Sequence, residues 1–162
     1  MIGFNQIDDT AKIYSGVKFN PKIHLEMEKN TFIGTNCIIL VPQLIMREGS
    51  QINANTIVTG KCPVFLGRNV VIGYSCVLLT SSDKPNQGLP MNDATPEEQR
   101  NIVRGSIVVG DNSFIGSQTL IMPNVLIEEG VVVKAKSYVD KSLSLQYHLY
   151  ENNFKVRSLK DV

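Results

Sequence analysis

The fold of this 162-residue chain is decided by the stretch Val109-Gly110-Asp111-Asn112-Ser113-Phe114-Ile115-Gly116-Ser117-Gln118-Thr119-Leu120-Ile121. Aliphatic residues recur in it every six positions, and the series continues to the end of the repeat as Val109, Ile115, Ile121, Ile127, Val133 and Val139. A period of six drifts around the surface of an α-helix and never builds one apolar stripe. Long strands are excluded as well, because turn residues such as Gly110-Asp111-Asn112 interrupt the alternation every few positions.

The spacing predicts a solenoid of very short strands that are joined by tight corners. If three hexads form one coil, three columns of aliphatic side chains fill the core, in which Val109 stacks under Ile127, Ile115 under Val133 and Ile121 under Val139. The ladder also runs upstream, with slips of one or two residues that indicate bulged corners. Its upstream runs are Ile7, Ile13 and Phe19; Met27, Ile33 and Ile39; Ile52 and Val58; and Leu66, Ile72 and Leu78.

All three cysteines, Cys37, Cys62 and Cys76, stand four residues after a ladder aliphatic. Ser113 and Thr119 occupy the same position in their hexads, where a small side chain is needed. We therefore expect the cysteines to be small core residues rather than nucleophiles or ligands. An odd number of cysteines without a C-x-x-C pair also argues against a disulfide framework, and no metal site is expected.

The ladder is interrupted between Leu78 and Val103, the next plausible rung. The intervening residues are polar and include Pro85, Pro90 and Pro96, which predicts a long loop over residues 80–101. Long loops that project from a compact scaffold usually carry function. Residues 142–162 lose the ladder, and we expect them to form a tail or a short helix packed on the last coil. The whole chain, residues 1–162, is expected to be one domain.

Composition excludes several classes of partner. A net charge of +1 gives no field that would attract nucleic acid or an anionic membrane. No apolar run approaches the roughly 20 residues that cross a bilayer, so membrane insertion is not expected. The first residues lack the basic flank and apolar stretch of a signal peptide, which predicts a cytoplasmic protein.

With these features, the chain resembles the left-handed β-helix acyltransferases of the hexapeptide-repeat superfamily. The Ile-Gly ladder with one protruding loop carries the likeness to the superfamily. Within the superfamily, Ser81-Ser82-Asp83 and Thr95-Pro96-Glu97-Glu98-Gln99-Arg100-Asn101 are similar to loop segments of the sugar acetyltransferases of surface-polysaccharide biosynthesis. The resemblance implies an all-β fold, a left-handed parallel β-helix that assembles as a homotrimer with active sites between neighbouring subunits. It also implies transfer of an acetyl group from acetyl-CoA to a hydroxyl or amine of a sugar or nucleotide sugar.

A histidine normally serves as the general base in this family. Here the loop entrance reads Ser81-Ser82-Asp83, and the second familiar position, one coil earlier, is Gln51. Three mechanisms stay open. Asp83 could act as the base, or His24 could enter the site from a neighbouring subunit. Alternatively, an amine acceptor needs no base, and Gln51 and Asn53 would then orient it.

The resemblance also suggests binding residues. We expect the acceptor to meet Ser81, Ser82, Asn53 and Arg100. Coenzyme A is expected along the last coils, with Ser117 and Ala135 at corner positions that bond its pantetheine arm. Cations for its phosphates would be Lys134, Lys136, Lys141 and Lys155.

The missing histidines support a competing hypothesis. In it, the protein is a catalytically silent trimeric β-helix with a structural or sugar-binding role.

Overall fold

The chain forms a left-handed parallel β-helix of about 7 turns in a computed structural model that describes residues 4–84, 88–144 and 146–160. This architecture confirms the predicted fold class. Each coil contributes one short strand to each of three sheets, which we call faces A, B and C in the order in which the chain visits them. The chain turns at an A–B corner, a B–C corner and a C–A corner in every coil.

The strands are numbered along the chain. Face A contains β1 (Phe4–Ile7), β4 (His24–Met27), β7 (Gln43–Met46), β10 (Val64–Leu66), β15 (Ile107–Val109) and β18 (Leu126–Ile127). Face B contains β2 (Lys12–Ile13), β5 (Phe32–Ile33), β8 (Gln51–Ile52), β11 (Val71–Ile72), β16 (Phe114–Ile115), β19 (Val132–Val133), β21 (His148–Glu151) and β22 (Phe154–Ser158). Face C contains β3 (Lys18–Phe19), β6 (Ile38–Ile39), β9 (Ile57–Thr59), β12 (Val77–Leu79), β17 (Leu120–Ile121) and β20 (Tyr138–Val139).

The predicted aliphatic columns are present in the strand register. Val109 lies beside Ile127, Ile115 beside Val133 and Ile121 beside Val139. Successive strand residues point to opposite sides of a sheet, so one residue of each short strand faces the interior. From the second coil onward, these inward residues are almost completely buried, and together they form one continuous core.

All three corners contain residues in the left-handed backbone region, and at the C–A corner these include Gly60 and Asn124. Asn30, Asn69 and Asn112 have positive φ at the A–B corner, and Asn36 and Asn55 have positive φ at the B–C corner. Asparagine tolerates this conformation better than most residues, since its side chain bonds the nearby backbone. The recurrence of asparagine in the hexads therefore reflects corner geometry.

The base of the protruding loop differs from the predicted ladder at Val103. Val103 is not a rung of the helix, because it lies in β14 (Ile102–Arg104), which pairs antiparallel with β13 (Ser81–Asp83) at the base of the loop. A 3-10 helix, Glu97–Gln99, precedes this pair on the returning side. The helix of coils resumes at β15, where Val109 lies beside Leu66.

The C-terminal segment is a hairpin instead of a short helix. Its first strand, β21, pairs parallel with β19 as one more rung of face B, and β22 folds back antiparallel onto it. Tyr150 and Leu143 are buried against the last coil. The hairpin thus covers the apolar end of the solenoid, as a terminal repeat must. Among the described residues, none forms a helix that is long and apolar enough to span a membrane.

The three cysteines do not share one environment. Cys37 and Cys76 are buried core residues, as predicted, and burial raises the pKa of both thiols. The prediction is wrong for Cys62, which is only half-buried. The reason is that Cys62 lies in a C–A corner, where the chain bulges out of the ladder.

Candidate functional site

A cavity of about 760 Å³ opens at the C–A corner, beside the protruding loop. Corner residues of three early coils form one side of it, and the two ends of the loop form the other. The lining residues include Asn20, Leu40, Pro42, Gly60 and Lys61 from the corners, and Ser81, Ser82, Asp83, Thr95, Arg100 and Arg104 from the loop and its base.

The early coils have one or two extra residues at the C–A corner, beside the cavity. The repeat places ladder residues six positions apart, yet Phe19 to Met27 and Val58 to Leu66 span eight positions, and Ile39 to Met46 spans seven. Later, Ile121 to Ile127 returns to six. The slips that are visible in the sequence therefore all lie at the C–A corner, where the additional residues push the chain outward and leave room for a ligand.

The root of the loop is held rigidly against the preceding coil. Thr80 is completely buried, and its Oγ1 accepts a hydrogen bond from the Cys62 backbone N–H (3.1 Å) and donates one to the Thr59 carbonyl (3.3 Å). Gly60 has a φ of +128°, and a Cβ there would lie 2.4 Å from Thr80 Oγ1 and 2.5 Å from the Ser81 backbone nitrogen. Only glycine fits this close approach.

The carboxylate of Asp83 is bound on both oxygens by the guanidinium of Arg100. Arg100 Nε donates to Asp83 Oδ1 (2.9 Å), and Arg100 Nη2 donates to Asp83 Oδ2. These hydrogen bonds, with a smaller contribution from the positive charge, hold the pKa of Asp83 below its ordinary value. A carboxylate in this state is a weak proton acceptor. The segments Ser81–Asp83 and Thr95–Asn101 at the two ends of the loop are thus joined to each other by an ion pair.

Four of the predicted site residues meet at the cavity: Ser81, Ser82, Asp83 and Arg100 all line it. His24 lies just past the same corner, at the start of β4, where its backbone N–H donates to the carbonyl of the cavity residue Pro42 (2.9 Å). Its Nε2 is 2.6 Å from Glu26 Oε1 on the outer side of face A. His24 is near the cavity but is not among the residues that line it.

The remaining predicted residues lie mostly at a different corner. Gln51 stands at the start of β8 on face B, and Asn53 follows at the B–C corner, where its Nδ2 donates to the Ile72 carbonyl (2.8 Å). Ser117 is at the same corner of a later coil, and its Oγ accepts from the Tyr74 backbone N–H (3.1 Å). One coil further, the B–C corner consists of Lys134, Ala135 and Lys136, which are all exposed.

Of the predicted phosphate ligands, Lys134 pairs with Glu151 (2.8 Å) and the others are exposed. Lys155 lies in β22, the edge strand of face B, whereas Lys141 follows β20 at the last C–A corner. The predicted acceptor residues of the loop and most of the predicted coenzyme residues therefore occupy two separate corners of one chain. In the described part of the chain, no group of three or more histidine, cysteine, aspartate or glutamate residues could hold a metal ion.

The sequence analysis did not predict the residues of the early coils that line one side of the cavity. Asn20, Leu40, Pro42 and Lys61 line the cavity, although the ladder alone gave no reason to select them. The signal that could have identified them was the coincidence of each slip with a proline, since Pro21, Pro42 and Pro63 stand in the three bulged corners.

A family model of hexapeptide repeats, described as the hexapeptide repeat of succinyl-transferase, matches residues 26–60 and 106–141. These two segments lie on either side of the protruding loop. The match therefore covers part of the coils and leaves out the first coil, the coil at residues 64–79 and the loop itself.

Known proteins resemble the chain over most of its length. A dTDP-4-amino-4,6-dideoxy-D-glucose acyltransferase from Escherichia coli is 21% identical over 140 residues, which are 85% of this chain and 73% of that protein. The solved structure of a variant of AntD, an N-acyltransferase from Bacillus cereus, in complex with dTDP-4-amino-4,6-dideoxyglucose and coenzyme A superimposes with a TM-score of 0.89. It is 24% identical, and the alignment covers 97% of this chain and 85% of that chain. A galactoside acetyltransferase in complex with coenzyme A has a TM-score of 0.54 at 21% identity, over 92% of this chain and 66% of that chain. At these identities the solved structures establish the shared fold.

Proposed function

The chain belongs to the hexapeptide-repeat superfamily, and from this premise we propose that it is an acyl-CoA-dependent N-acyltransferase whose acceptor is an amino group on a nucleotide-linked sugar. One observation carries the choice of an amine: the carboxylates of Asp83, Asp93 and Glu97, which line the cavity, are all paired with arginines, and Asp83 is bound on both oxygens by Arg100. The relatives support the same class of acceptor. The one from Escherichia coli acts on a dTDP-linked amino sugar, and AntD binds such a sugar together with coenzyme A.

An amine fits this site because it needs no strong base from the protein. The neutral nitrogen attacks the thioester carbonyl, a carbon–nitrogen bond forms, and the carbon–sulfur bond breaks to release the thiolate of coenzyme A. The proton of the resulting ammonium passes to solvent. The protein then contributes positioning, and hydrogen bonds to the oxygen on which negative charge develops. In this proposal the hydroxyls of Ser81 and Ser82 hold the acceptor beside the loop.

Assembly is part of the proposal. The loop cavity lies at the C–A corner, whereas four of the six residues assigned to coenzyme A (Ser117, Lys134, Ala135, Lys136) lie at the B–C corner. Two corners of one three-sided helix point in different directions, so one chain does not bring both substrates together. We propose a homotrimer in which the B–C corner of one subunit faces the C–A corner of its neighbour. Gln51 and Asn53 would then reach the acceptor across the interface.

The acyl group and the pathway follow from the resemblance of the loop segments. Acetyl-CoA is the proposed donor, and the proposed role is the biosynthesis of a surface polysaccharide from nucleotide sugars in the cytoplasm. A larger acyl group is a direct alternative, because AntD has been solved with 3-hydroxybutyryl-CoA. Transfer assays with both thioesters and one amino-sugar nucleotide would identify the donor.

The first test is binding of coenzyme A, which separates an enzyme from a silent β-helix. A ligand that binds only the native state raises its stability, by about 2.7 kcal/mol at a concentration of 100 times Kd. We expect acetyl-CoA to raise the melting temperature in a concentration-dependent way. An unchanged melting temperature at millimolar acetyl-CoA would instead support a structural or sugar-binding protein without transfer activity.

The second test addresses the base. With an amino-sugar acceptor, we expect both Asp83→Asn and His24→Gln to keep kcat within about threefold of the unmodified protein, since neither residue has a proton to remove in the proposed step. General-base catalysis typically contributes about 10²–10⁴-fold. A fall of that size in kcat for either variant, with circular dichroism unchanged, would contradict the amine mechanism and identify the base.

A further inference from the structure

Arg100 is held more tightly than its position on a surface loop would require. Its side chain is only 8% exposed, and it binds two carboxylates at once. Besides the two bonds to Asp83, its Nη1 donates to Asp93 Oδ1 (3.0 Å). The Asp93 side chain is fully exposed, so water screens this contact more strongly than the bonds to Asp83. Planar guanidinium groups bind a carboxylate in this two-point manner with a defined orientation, so the pair fixes direction as well as distance.

The contacts of Arg100 join parts of the loop that are distant in sequence. Asp83 ends the outgoing strand β13, Asp93 stands in the middle of the loop, and Arg100 precedes the returning strand β14. Directly below, Ser82 pairs with Val103 in the antiparallel ladder. The ion pairs therefore extend the contact between β13 and β14 further into the loop, and they hold its outgoing and returning segments together.

A second ion pair stabilises the same fold-back. Arg104, in β14, binds Glu97 at the start of the 3-10 helix. Both side chains are considerably more exposed than Arg100, so water screens this contact more strongly. Arg100 is thus the principal electrostatic link in the loop.

We infer that Asp83, Arg100 and Asp93 form a clamp that positions the loop wall of the cavity, and that Arg100 is a positioning residue rather than a ligand of the acceptor. Ser81 and Ser82 immediately precede Asp83 in the same strand, so a shift of β13 moves their hydroxyl groups in the cavity. The kinetic part of this inference rests on the proposed transferase function. The structural part, which is closure of the loop by the clamp, does not.

The clamp and a catalytic Asp83 make opposite predictions for Arg100. If Asp83 were the base, removal of Arg100 would free its carboxylate and leave kcat unchanged or higher. If the three residues form a clamp, loss of either partner loosens the same wall. Asp83→Asn and Arg100→Gln should then have the same effect, namely weaker binding of the acceptor.

The experiment is a double-mutant cycle with steady-state kinetics. We expect Asp83→Asn and Arg100→Gln each to raise the KM for the acceptor about tenfold, because small displacements of positioning groups have large effects, with kcat within about threefold. The KM for acyl-CoA should not change. The double variant should be no worse than either single variant, since coupled residues are not additive. The reversed pair, Asp83→Arg with Arg100→Asp, should recover part of the loss.

A readout that needs no activity is hydrogen exchange of the amides in residues 88–101. Both single variants should accelerate exchange there, and the matched control Arg47→Gln, which breaks the ion pair of Arg47 with Glu28 at the A–B corner, should not. If the protein transfers no acyl group but exchange responds as described, the clamp stands and only the proposed function fails. Unchanged exchange in Arg100→Gln, additive kinetic effects, or a loss of kcat confined to Asp83→Asn would overturn the clamp.

Discussion

At the scale of single residues, Gly60 is the position at which the loop root depends most on one side chain. Its φ of +128° is disfavoured for any residue with a Cβ, and the added atom would collide with Thr80 and Ser81. We expect Gly60→Ala to lower the free energy of unfolding by on the order of 1–3 kcal/mol. Chemical denaturation monitored by circular dichroism measures this change.

Gly88 provides the matched control, because it also has positive φ (+70°) but, among the described residues other than its chain neighbours, no atom lies within 4 Å of the position that a Cβ would take. Gly88→Ala should therefore cost only the backbone strain, about 1 kcal/mol. Equal destabilisation by the two variants would show that the contact with Thr80 is unimportant.

Some residues of the candidate site could be predicted individually from the sequence. Ser81, Ser82, Asp83 and Arg100 were selected by resemblance, and the structure brings all four to the cavity. What the sequence could not reveal was that Asp83 and Arg100 bind each other. Seventeen positions separate them, and an ion pair over that distance depends on the antiparallel return of the loop, which no local pattern encodes.

At the scale of elements, the C-terminal hairpin is predicted to act as the cap of the solenoid. Tyr150 is 5% exposed and lies over the last complete coil. We expect Tyr150→Ala to lower the free energy of unfolding by about 3 kcal/mol, the usual cost of removing a large buried side chain. Phe154→Ala, in the second strand of the same hairpin, should change it by less than about 0.5 kcal/mol, because Phe154 is 74% exposed. A denaturant titration of both variants would test this, and equal costs would exclude the capping role.

The hairpin was also the element that sequence reasoning described least well. The six-residue period predicts coils wherever it is sustained, since each inward aliphatic has a partner one coil away. After Val139 the period stops, and β21 is held in register by its pairing with β19 and by two buried residues at irregular spacing, Leu143 and Tyr150. Tertiary pairing of this kind leaves no periodic trace, so a tail and a short helix were equally compatible with the sequence.

At the scale of the whole molecule, one irregularity explains the position of the site. The regular hexads build a smooth three-sided helix whose core is buried from the second coil onward, and the register of its columns was predictable residue by residue. The irregular spacings in the repeat were visible in the sequence too, but the cavity that they form with the loop was not. All of them fall at the C–A corner, the corner from which the loop also leaves the helix. Bulged corners and loop together make the cavity, while the B–C corner stays regular and carries most of the residues assigned to coenzyme A.

This separation of corners leads to a prediction about assembly, which subunit complementation can test. Asp83→Arg should inactivate the C–A corner, and Ala135→Trp should block the B–C corner without touching the core, because Ala135 is exposed. Each variant alone is expected to be inactive. When both variants are co-expressed, they form mixed trimers. A site between subunits is then intact if its cavity comes from the Ala135→Trp subunit and its B–C corner comes from the Asp83→Arg subunit. Random assembly gives about one quarter of the sites this composition, and we expect roughly that fraction of the unmodified activity. Activity at the level of the separate variants, from material shown by mass spectrometry to contain mixed trimers, would place both substrates on a single chain and contradict the shared site.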